Sequence, residues 1–190
     1  DVDDPNSFCK DIFSLLKSNG VWMLELSYLP LMLKNLTYDQ ICHEHVTYYT
    51  LTSFEKIISK HNLKIVDFSF NEINGGSIEV ICAKKNSKHK QNDKLINKIL
   101  LDEKLIDQNS YQRCNQRIDN TKKLLNLFLK SINRKDIIGY GASTKGNIVL
   151  NHCGISKKDL PYICDANPYK FGKYTPGTNI KIISKKEMRK

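Results

Sequence analysis

The sequence predicts an α/β protein in which two α/β segments are joined by a helical connector. Residues 20–30 form a nearly continuous apolar run, which is typical of a buried strand. Residues 95–128 repeat apolar side chains at helical intervals without a proline, and residues 137–165 follow the order strand, glycine loop, helix, strand. A chain of 190 residues, of which 40% are hydrophobic, is long enough to bury a core around these elements.

The first helix is predicted from apolar residues that share one helical face, namely Phe8, Ile12, Leu15 and Leu16. Asn6 or Ser7 is the expected N-cap, and Gly20 is the expected end of this helix. The apolar run that follows predicts a strand that is buried on both faces in a parallel sheet. Its one carboxylate, Glu25, then needs a partner or a function, because a buried charge is costly.

The rest of residues 1–85 predicts one helix followed by two strands. Residues 51–62 carry apolar side chains at helical spacing behind a Thr/Ser cap, and residues 63–73 alternate between apolar and polar side chains. The turn Asn74-Gly75-Gly76 leads into a second strand, so we expect an antiparallel hairpin. Residues 1–85 therefore predict the tail end of an α/β sheet that finishes in an antiparallel pair.

Residues 86–135 predict the helical connector. The stretch from Lys84 to about Lys94 is polar and rich in lysine, and the helical repeat of apolar residues follows it. This change of composition marks the expected boundary between the two α/β segments.

Residues 136–190 predict a nucleotide-binding order of elements. A strand at residues 137–138 leads through a glycine loop at 139–141 into a helix from about Gly146, and Asp165 follows the next strand. Such a loop lets backbone N–H groups and a helix N-terminus bind a phosphate, while the acid reaches a ribose. Three interpretations stay open: a phosphate or sugar-nucleotide site, a dinucleotide site, and a loop that only turns the chain.

The net charge of +10 does not by itself predict a nucleic-acid-binding protein. Only four of the 30 basic residues are arginines, and the lysines are scattered among Asn and Ile, which is typical of a solvated surface. No apolar run approaches the roughly 20 residues that a membrane helix needs. The six cysteines form no CxxC pair, so we expect reduced thiols in a cytoplasmic protein that binds neither nucleic acid nor membrane.

The segment at residues 42–45 places four reactive side chains in a row, and two tyrosines follow it: Cys42, His43, Glu44, His45, Tyr48 and Tyr49. A zinc site needs about four ligands, usually from two paired motifs, and this segment has no second half, so no metal site is predicted. An imidazole beside a carboxylate can transfer protons near neutral pH, and a tyrosine can hydrogen-bond an oxyanion or a sugar hydroxyl. From the residues alone, an acid/base centre and a polar loop with packed tyrosines both stay open.

Four motifs, taken in order, resemble the SAM-dependent sugar C-methyltransferases that act on dTDP-4-keto-deoxysugars: YDQICHEHVTYYTLTSFEKI, NEINGGSIEV, IGYGASTKGNIVLNHCGI and DANPYKFGKYTPGTNI. The resemblance covers nearly the whole chain outside the helical connector. It favours an acid/base centre at residues 42–45, and it implies a dTDP-linked keto-sugar as the partner of this protein.

The same resemblance implies an architecture. Residues 1–85 correspond to the late part of a class I methyltransferase domain with a Rossmann-like fold. Residues 136–190 correspond to part of a second Rossmann-like domain that helps to hold the nucleotide sugar. The glycine-rich SAM loop and the N-terminal zinc-binding region of the family have no counterpart in these 190 residues, so we expect a fragment, truncated at both ends and inactive alone.

The family also implies roles for single residues. In its proposed chemistry a base removes the proton next to the 4-keto group, and the enolate takes the methyl group of S-adenosylmethionine. The Glu-His pair of the family falls on Glu44 and His45, which implies His45 as the base and Glu44 as its partner or a sugar ligand. The chain departs from the family at Cys42, where characterised members often carry a tyrosine that is proposed to act in proton transfer. The implied substrate contacts are Cys42, Tyr48, Tyr49, Gly75 and Gly76 within residues 74–77, and Ser143, Lys145 and Asn147, and Glu25 is a further residue expected to face the pocket.

Two other functions stay open at this point. The GYGxxxKG unit and Asp165 are compatible with a nucleotide-binding oxidoreductase or epimerase. A non-catalytic module that binds a nucleotide sugar is the second alternative. The sequence leaves the particular sugar, the methylated carbon and the oligomeric state open.

Overall fold

The computed structural model describes residues 2–189, which divide into two compact units. Unit 1 consists of the residues up to 38 together with residues 43–114, and unit 2 consists of residues 39–42 together with the residues from 115 onward. Each unit has its own three-stranded sheet and its own hydrophobic core. Both are mixed α/β units, as the sequence predicts.

The elements of unit 1 are, in the described part of the chain, helices α1 (Pro5–Leu15), α2 (Leu29–Asn35), α3 (Leu51–Ser59) and α4 (Asp93–Glu103) and strands β1 (Val21–Ser27), β2 (Leu63–Asn71) and β3 (Ser77–Lys84). Short 3-10 turns cover Tyr38–Gln40 and Ile73–Gly75. Helix α5 (Gln108–Ser131) begins in unit 1 and continues in unit 2. The helices predicted between residues 86 and 135 are thus observed as α4 and α5.

The sheet of unit 1 has the order β1-β3-β2, and β3 runs antiparallel to both neighbours. Strands β1 and β2 are therefore parallel to each other. The predicted hairpin is confirmed, with Asn71 opposite Ser77 at its closed end. Asn74, Gly75 and Gly76 all have positive φ, the backbone conformation for which Asn and Gly are suited in tight turns.

Strand β1 is not buried on both faces of a parallel sheet, so that prediction is wrong. Its side chains alternate between a face toward the core (Trp22, Leu24 and Leu26) and an exposed face (Val21, Met23 and Glu25). The outward residues Val21 and Met23 are themselves apolar, which hid the alternation in the sequence. Because Glu25 is exposed, its carboxylate needs no buried partner.

The core of unit 1 lies on one face of this sheet and includes side chains of α1 and α3. Its most deeply buried members come from α3, β2 and β3, namely Leu51, Ile58, Leu63, Ile65, Ile78, Val80 and Cys82. Burying one such large aliphatic side chain stabilises the fold by about 1.5–3 kcal/mol. The core therefore joins the helix that follows the 42–45 segment firmly to the two strands of the hairpin.

The caps of α1 and α3 lie at residues other than those predicted. Helix α3 has a Thr/Ser cap, but its N-cap is Thr50, just before the predicted stretch: the Thr50 hydroxyl accepts from the Ser53 N–H at 3.0 Å while the Ser53 hydroxyl accepts from the Thr50 N–H. Helix α1 instead begins after Asp4, whose carboxylate accepts from the Asn6 N–H, and it ends at Leu15 rather than at Gly20. Pro5 has no N–H and fits the first helical position, which sets this earlier start.

Unit 2 contains, within the described residues, strands β4 (Gly139–Tyr140), β5 (Tyr162–Cys164) and β6 (Lys181–Ile183) and helices α6 (Thr144–Cys153) and α7 (Lys185–Met188). The strands form a parallel sheet in the order β4-β5-β6. Strand β4 begins at Gly139, after the predicted residues 137–138, and α6 begins at Thr144 rather than at Gly146. A Cβ at Gly139 would lie 2.9 Å from Ile163 Cγ1, so the close approach of the two strands requires glycine there.

Two further expectations concerned reduced cysteines and the lack of a membrane-spanning helix. All six cysteines are free thiols, and Cys153 and Cys164 are buried in unit 2. Between residues 2 and 189, no helix combines the length and the apolar character that are needed to cross a bilayer.

We predict that Thr50→Ala lowers the free energy of unfolding by about 1 kcal/mol, because it removes the cap of α3. Chemical denaturation monitored by circular dichroism measures this loss. Thr121→Ala is the matched control, since Thr121 is exposed and its hydroxyl donates to the Arg117 carbonyl of its own helix. We expect a change within about 0.5 kcal/mol for the control. Equal losses in the two variants would contradict a capping role for Thr50.

Candidate functional site

The segment at residues 42–45 lies in an irregular turn that precedes Tyr49, and the division between the two units falls between Cys42 and His43. His43 Nδ1 lies 3.4 Å from Glu44 Oε2. The two side chains are 90% and 48% exposed, so this ion pair contributes little to stability. Glu44 is thus paired with the histidine that precedes it.

His45 is half-buried and lies beside Tyr48. The two rings are arranged edge to face, with centroids 6.4 Å apart. The structure therefore brings the predicted base next to a phenol that can donate a hydrogen bond. Its role as the base stays a prediction.

Tyr49 and Glu25, two of the predicted residues, line the same cavity of about 220 Å³ in unit 1. The other walls are mainly apolar and aromatic, with Trp22 and Phe54 among them. Burial raises the pKa of the Tyr49 phenol above its ordinary value. The backbone of Tyr49 pairs with that of Tyr28, and its carbonyl accepts from the Leu29 N–H at 2.9 Å. Tyr49 is therefore fixed both by packing and by its backbone.

A buried carboxylate binds the residues that follow the segment at residues 42–45 and Tyr49. Glu103, at the end of α4, is only 9% exposed and accepts hydrogen bonds from Tyr28 Oη at 2.7 Å, Leu51 N at 2.6 Å and Thr52 N at 2.8 Å. The Thr52 hydroxyl also donates to it. Burial, and then the bond to Glu103, raise the pKa of the Tyr28 phenol. Leu51 and Thr52 begin α3, so the carboxylate occupies the N-terminus of that helix, where negative charge is stabilised.

Gly75 and Gly76 lie at a cleft of about 590 Å³ whose lining includes Lys34, Asn35 and Phe70. Close packing explains why both positions are glycine. A Cβ at Gly75 would overlap the methyl group of Thr37, and one at Gly76 would lie 2.8 Å from Leu31 Cβ. Asn35 Nδ2 also donates to the Gly75 carbonyl at 2.6 Å. The two glycines thus let the hairpin turn pack against α2 and the residues after it, and their role as substrate contacts stays a prediction.

The glycine loop of unit 2 follows β4, at the carboxyl end of the parallel sheet. Gly141 has a φ of +91°, and nothing lies within 4 Å of the place where its Cβ would be. Ser143 caps α6 by accepting from the Gly146 N–H at 3.1 Å. Lys145 is half-buried, and Asn147 Oδ1 is a buried acceptor that has no hydrogen-bond partner within residues 2–189. The loop thus has the open space and the polar groups that a ligand site requires.

The carboxylate of Asp165 fixes this loop from the next strand. It accepts from Ala142 N at 2.7 Å, from Asn167 N at 2.8 Å and from Lys170 Nζ at 3.3 Å. Lys170 Nζ also donates to the Ala142 carbonyl at 2.7 Å. The Asn167 N–H, followed by the Ala142 N–H and the Lys170 ammonium, holds the pKa of Asp165 below its usual value despite opposing desolvation. Asp165, expected to reach a ribose, is bonded to the chain itself in this structure.

Unit 2 also contains a cavity of about 730 Å³. Its walls include residues at or just before the starts of the three strands, such as Ile138, Tyr162 and Lys181. Ligands of open α/β sheets bind at the carboxyl ends of the strands. Because this cavity contains none of the residues predicted from sequence, the glycine loop remains the candidate site of unit 2.

Between residues 2 and 189, no three His, Cys, Asp or Glu side chains come close enough to hold a metal ion. Zinc binding needs about four such ligands.

Three residues of structural importance escaped the sequence reasoning: Tyr28, Glu103 and Lys170. Glu103 did leave a signal, since it lies four residues after Ile99 and seven after Ile96, on the apolar face of α4. A carboxylate at such a position predicts a buried partner. No signal of this kind exists for Lys170, because lysines are common throughout the sequence.

Comparisons with known proteins identify relatives of this chain. Residues 72–190 match the family of the C-methyltransferase C-terminal domain. The chain is also 28% identical over 188 residues to the C-methyltransferase NovU of Streptomyces niveus. That alignment covers 96% of this chain and 44% of NovU, so the chain spans less than half the length of this curated relative.

We predict that Gly75→Ala lowers the free energy of unfolding by about 2 kcal/mol or more, because the new methyl group would overlap the side chain of Thr37. Gly172→Ala is the matched control, since Gly172 has a similar φ of +75° but no atom within 4 Å of its Cβ position. Calorimetric unfolding of both variants separates the overlap from backbone strain. Equal losses would mean that backbone conformation alone requires Gly75.

We predict that Asp165→Asn makes the stability less dependent on pH. The folded-state pKa of Asp165 is lowered, so its carboxylate stabilises the fold above its unfolded pKa of about 3.9, and this stabilisation is lost as the pH falls through the folded-state pKa. The melting temperature of the wild type should therefore fall more steeply between neutral and acidic pH than the melting temperature of the variant. Asp119→Asn on the exposed face of α5 is the control and should keep the wild-type slope.

Proposed function

The chain belongs to the C-methyltransferases, and on that premise we propose that the protein methylates a carbon atom of a nucleotide-linked keto-deoxysugar with S-adenosylmethionine as the methyl donor. The match of residues 72–190 to the C-methyltransferase C-terminal domain carries this proposal. The similarity to NovU, itself a C-methyltransferase, supports it over 96% of the chain. The four sequence motifs that resemble sugar C-methyltransferases supply the substrate class.

S-adenosylmethionine supplies the methyl group in this proposal, but the described residues do not form a site that fits it. The family binds this cofactor at a glycine-rich loop. The glycines of unit 1, namely Gly20, Gly75 and Gly76, lie in turns, and the last two are packed against Thr37 and Leu31. The cavity beside Glu25 is mainly apolar, whereas the cofactor carries several charged groups. The steps proposed for these residues therefore concern the substrate proton.

The proposed step is removal of the proton from the carbon next to the ketone. An imidazole nitrogen of His45 takes this proton, and the electrons of the broken C–H bond form the enolate. The negative charge then lies mainly on the former carbonyl oxygen, which needs a hydrogen-bond donor. Tyr48, whose ring lies beside that of His45, is our proposed donor.

The glycine loop of unit 2 is the proposed site for the nucleotide part of the substrate. The backbone N–H groups at the start of α6 and the ammonium group of Lys145 suit a pyrophosphate. The buried Oδ1 of Asn147, which has no hydrogen-bond partner among the described residues, suits a hydroxyl or N–H donor of the ribose or base. Ser143 contributes by capping α6, which keeps the loop in place.

The two alternative functions use the same glycine loop, and the structure bears on one of them. An oxidoreductase or epimerase was motivated by Asp165 as a ribose ligand, and Asp165 instead bonds Ala142, Asn167 and Lys170. A module that only binds a nucleotide sugar would use the same glycine loop without His45.

We further propose a cytoplasmic location, which the six free thiols support. Neither nucleic acid nor membrane has a role in the proposed reaction.

We predict that the full-length protein exchanges the proton next to the ketone of a dTDP-4-keto-6-deoxysugar in deuterated water, as followed by NMR. His45→Ala should slow this exchange by about 100-fold or more, because it removes the base. His43→Ala is the matched control, since His43 is the neighbouring exposed imidazole, and it should exchange within a few-fold of the wild type.

Transfer of a labelled methyl group from S-adenosylmethionine to the same sugar is the second measurement. Proton exchange that persists unchanged in the His45 variant would remove His45 from the mechanism. Tight binding of the sugar nucleotide by the wild type, without exchange or methyl transfer, would favour the binding module.

A further inference from the structure

Glu103 has the properties of a residue that positions the proposed acid/base segment, defined as residues 43–49. Its carboxylate is buried, and its four hydrogen bonds all come from unit 1. Two of these donors are the first N–H groups of α3, which begins two residues after Tyr49. A third donor is the phenol of Tyr28.

Tyr28 connects the carboxylate to the other side of the same segment. Its backbone forms a bridge with Tyr49, and the adjacent Leu29 N–H donates to the Tyr49 carbonyl. The phenol and the backbone of one residue therefore join Glu103 to Tyr49, while the amides of Leu51 and Thr52 join Glu103 to the start of α3. The end of the acid/base segment is fixed from both directions.

The charge of Glu103 is essential to this arrangement. Within residues 2–189, no Lys or Arg forms an ion pair with it. The N-terminus of α3 and the hydroxyl groups of Tyr28 and Thr52 stabilise the negative charge instead. A neutral amide in its place would direct an N–H group at some of these donors. The carboxylate is thus suited to accept all four bonds, and a substitution would change the position of the segment rather than its chemistry.

We propose that Glu103 is a positioning residue for the acid/base segment, which it fixes by binding the N-terminus of α3 and the phenol of Tyr28. This inference rests on the proposed function, in which His45 and Tyr48 act on the substrate. Glu103 does not touch the reacting atoms. Its removal should lower kcat, because the geometry of proton transfer is disturbed, while KM changes little, because the nucleotide site belongs to unit 2.

The test compares Glu103→Gln with Ile58→Val in the full-length protein. Ile58 is fully buried in the same helix α3, so its truncation destabilises the unit without altering the carboxylate. We expect Glu103→Gln to lower kcat for proton exchange by about tenfold or more. We expect Ile58→Val to keep kcat within about twofold at a similar drop in melting temperature. If kcat falls equally in the two variants, Glu103 acts only through stability and the proposal is overturned.

Amide hydrogen exchange provides a second readout that does not depend on activity. Faster exchange confined to residues 43–52 in Glu103→Gln supports the proposal, and unchanged exchange there overturns it. If the wild type shows no proton exchange on the sugar, the proposed function fails, and the amide measurement still decides the positioning role. If Glu103→Gln does not fold, Tyr28→Phe replaces it, because that variant keeps the carboxylate and its three other donors.

Discussion

The buried carboxylate of Glu103 is the interaction on which the arrangement of unit 1 depends. It joins the end of α4 to the start of α3 and to Tyr28, which follows β1. The first three N–H groups of α3 are all satisfied, two by Glu103 and the third by the Thr50 hydroxyl. Without the carboxylate, two amides and a phenol would lose their acceptor in the interior, which is costly for each group. The apolar core packs α1 and α3 against the sheet, and the hydrogen bonds of Glu103 join α4 to α3 and to Tyr28.

Unit 2 also contains a buried carboxylate that accepts a hydrogen bond from the backbone, but this carboxylate is paired with a lysine. Asp165 accepts from a backbone N–H of the glycine loop, as Glu103 accepts from those of α3. Asp165 also pairs with the Lys170 ammonium, which in turn bonds the Ala142 carbonyl. Both peptide groups of Ala142 are therefore bonded from outside the loop. In each unit one carboxylate thus fixes the backbone next to the residues for which a function is proposed.

The glycines of the two units serve different purposes. Gly75 and Gly76 lie so close to Thr37 and Leu31 that a side chain would not fit, which makes packing a sufficient reason for them. Gly141 has open space where its side chain would be. A glycine with positive φ beside open space lets the backbone approach a ligand closely. The glycine loop of unit 2 is therefore better supported as a binding element than the hairpin turn of unit 1.

The sequence by itself determined the local elements: the capped helix α3, the hairpin at Asn74, the helical connector and the glycine loop before α6. Each of these depends on spacing and turn chemistry within a few residues, which periodicity and capping rules detect. Only the tertiary structure showed that β1 has an exposed face, because burial depends on what covers a strand. It alone also showed the bond between Tyr28 and Glu103, which are 75 residues apart. No local pattern records such a pair, since its energy arises only when the folded chain removes both groups from water.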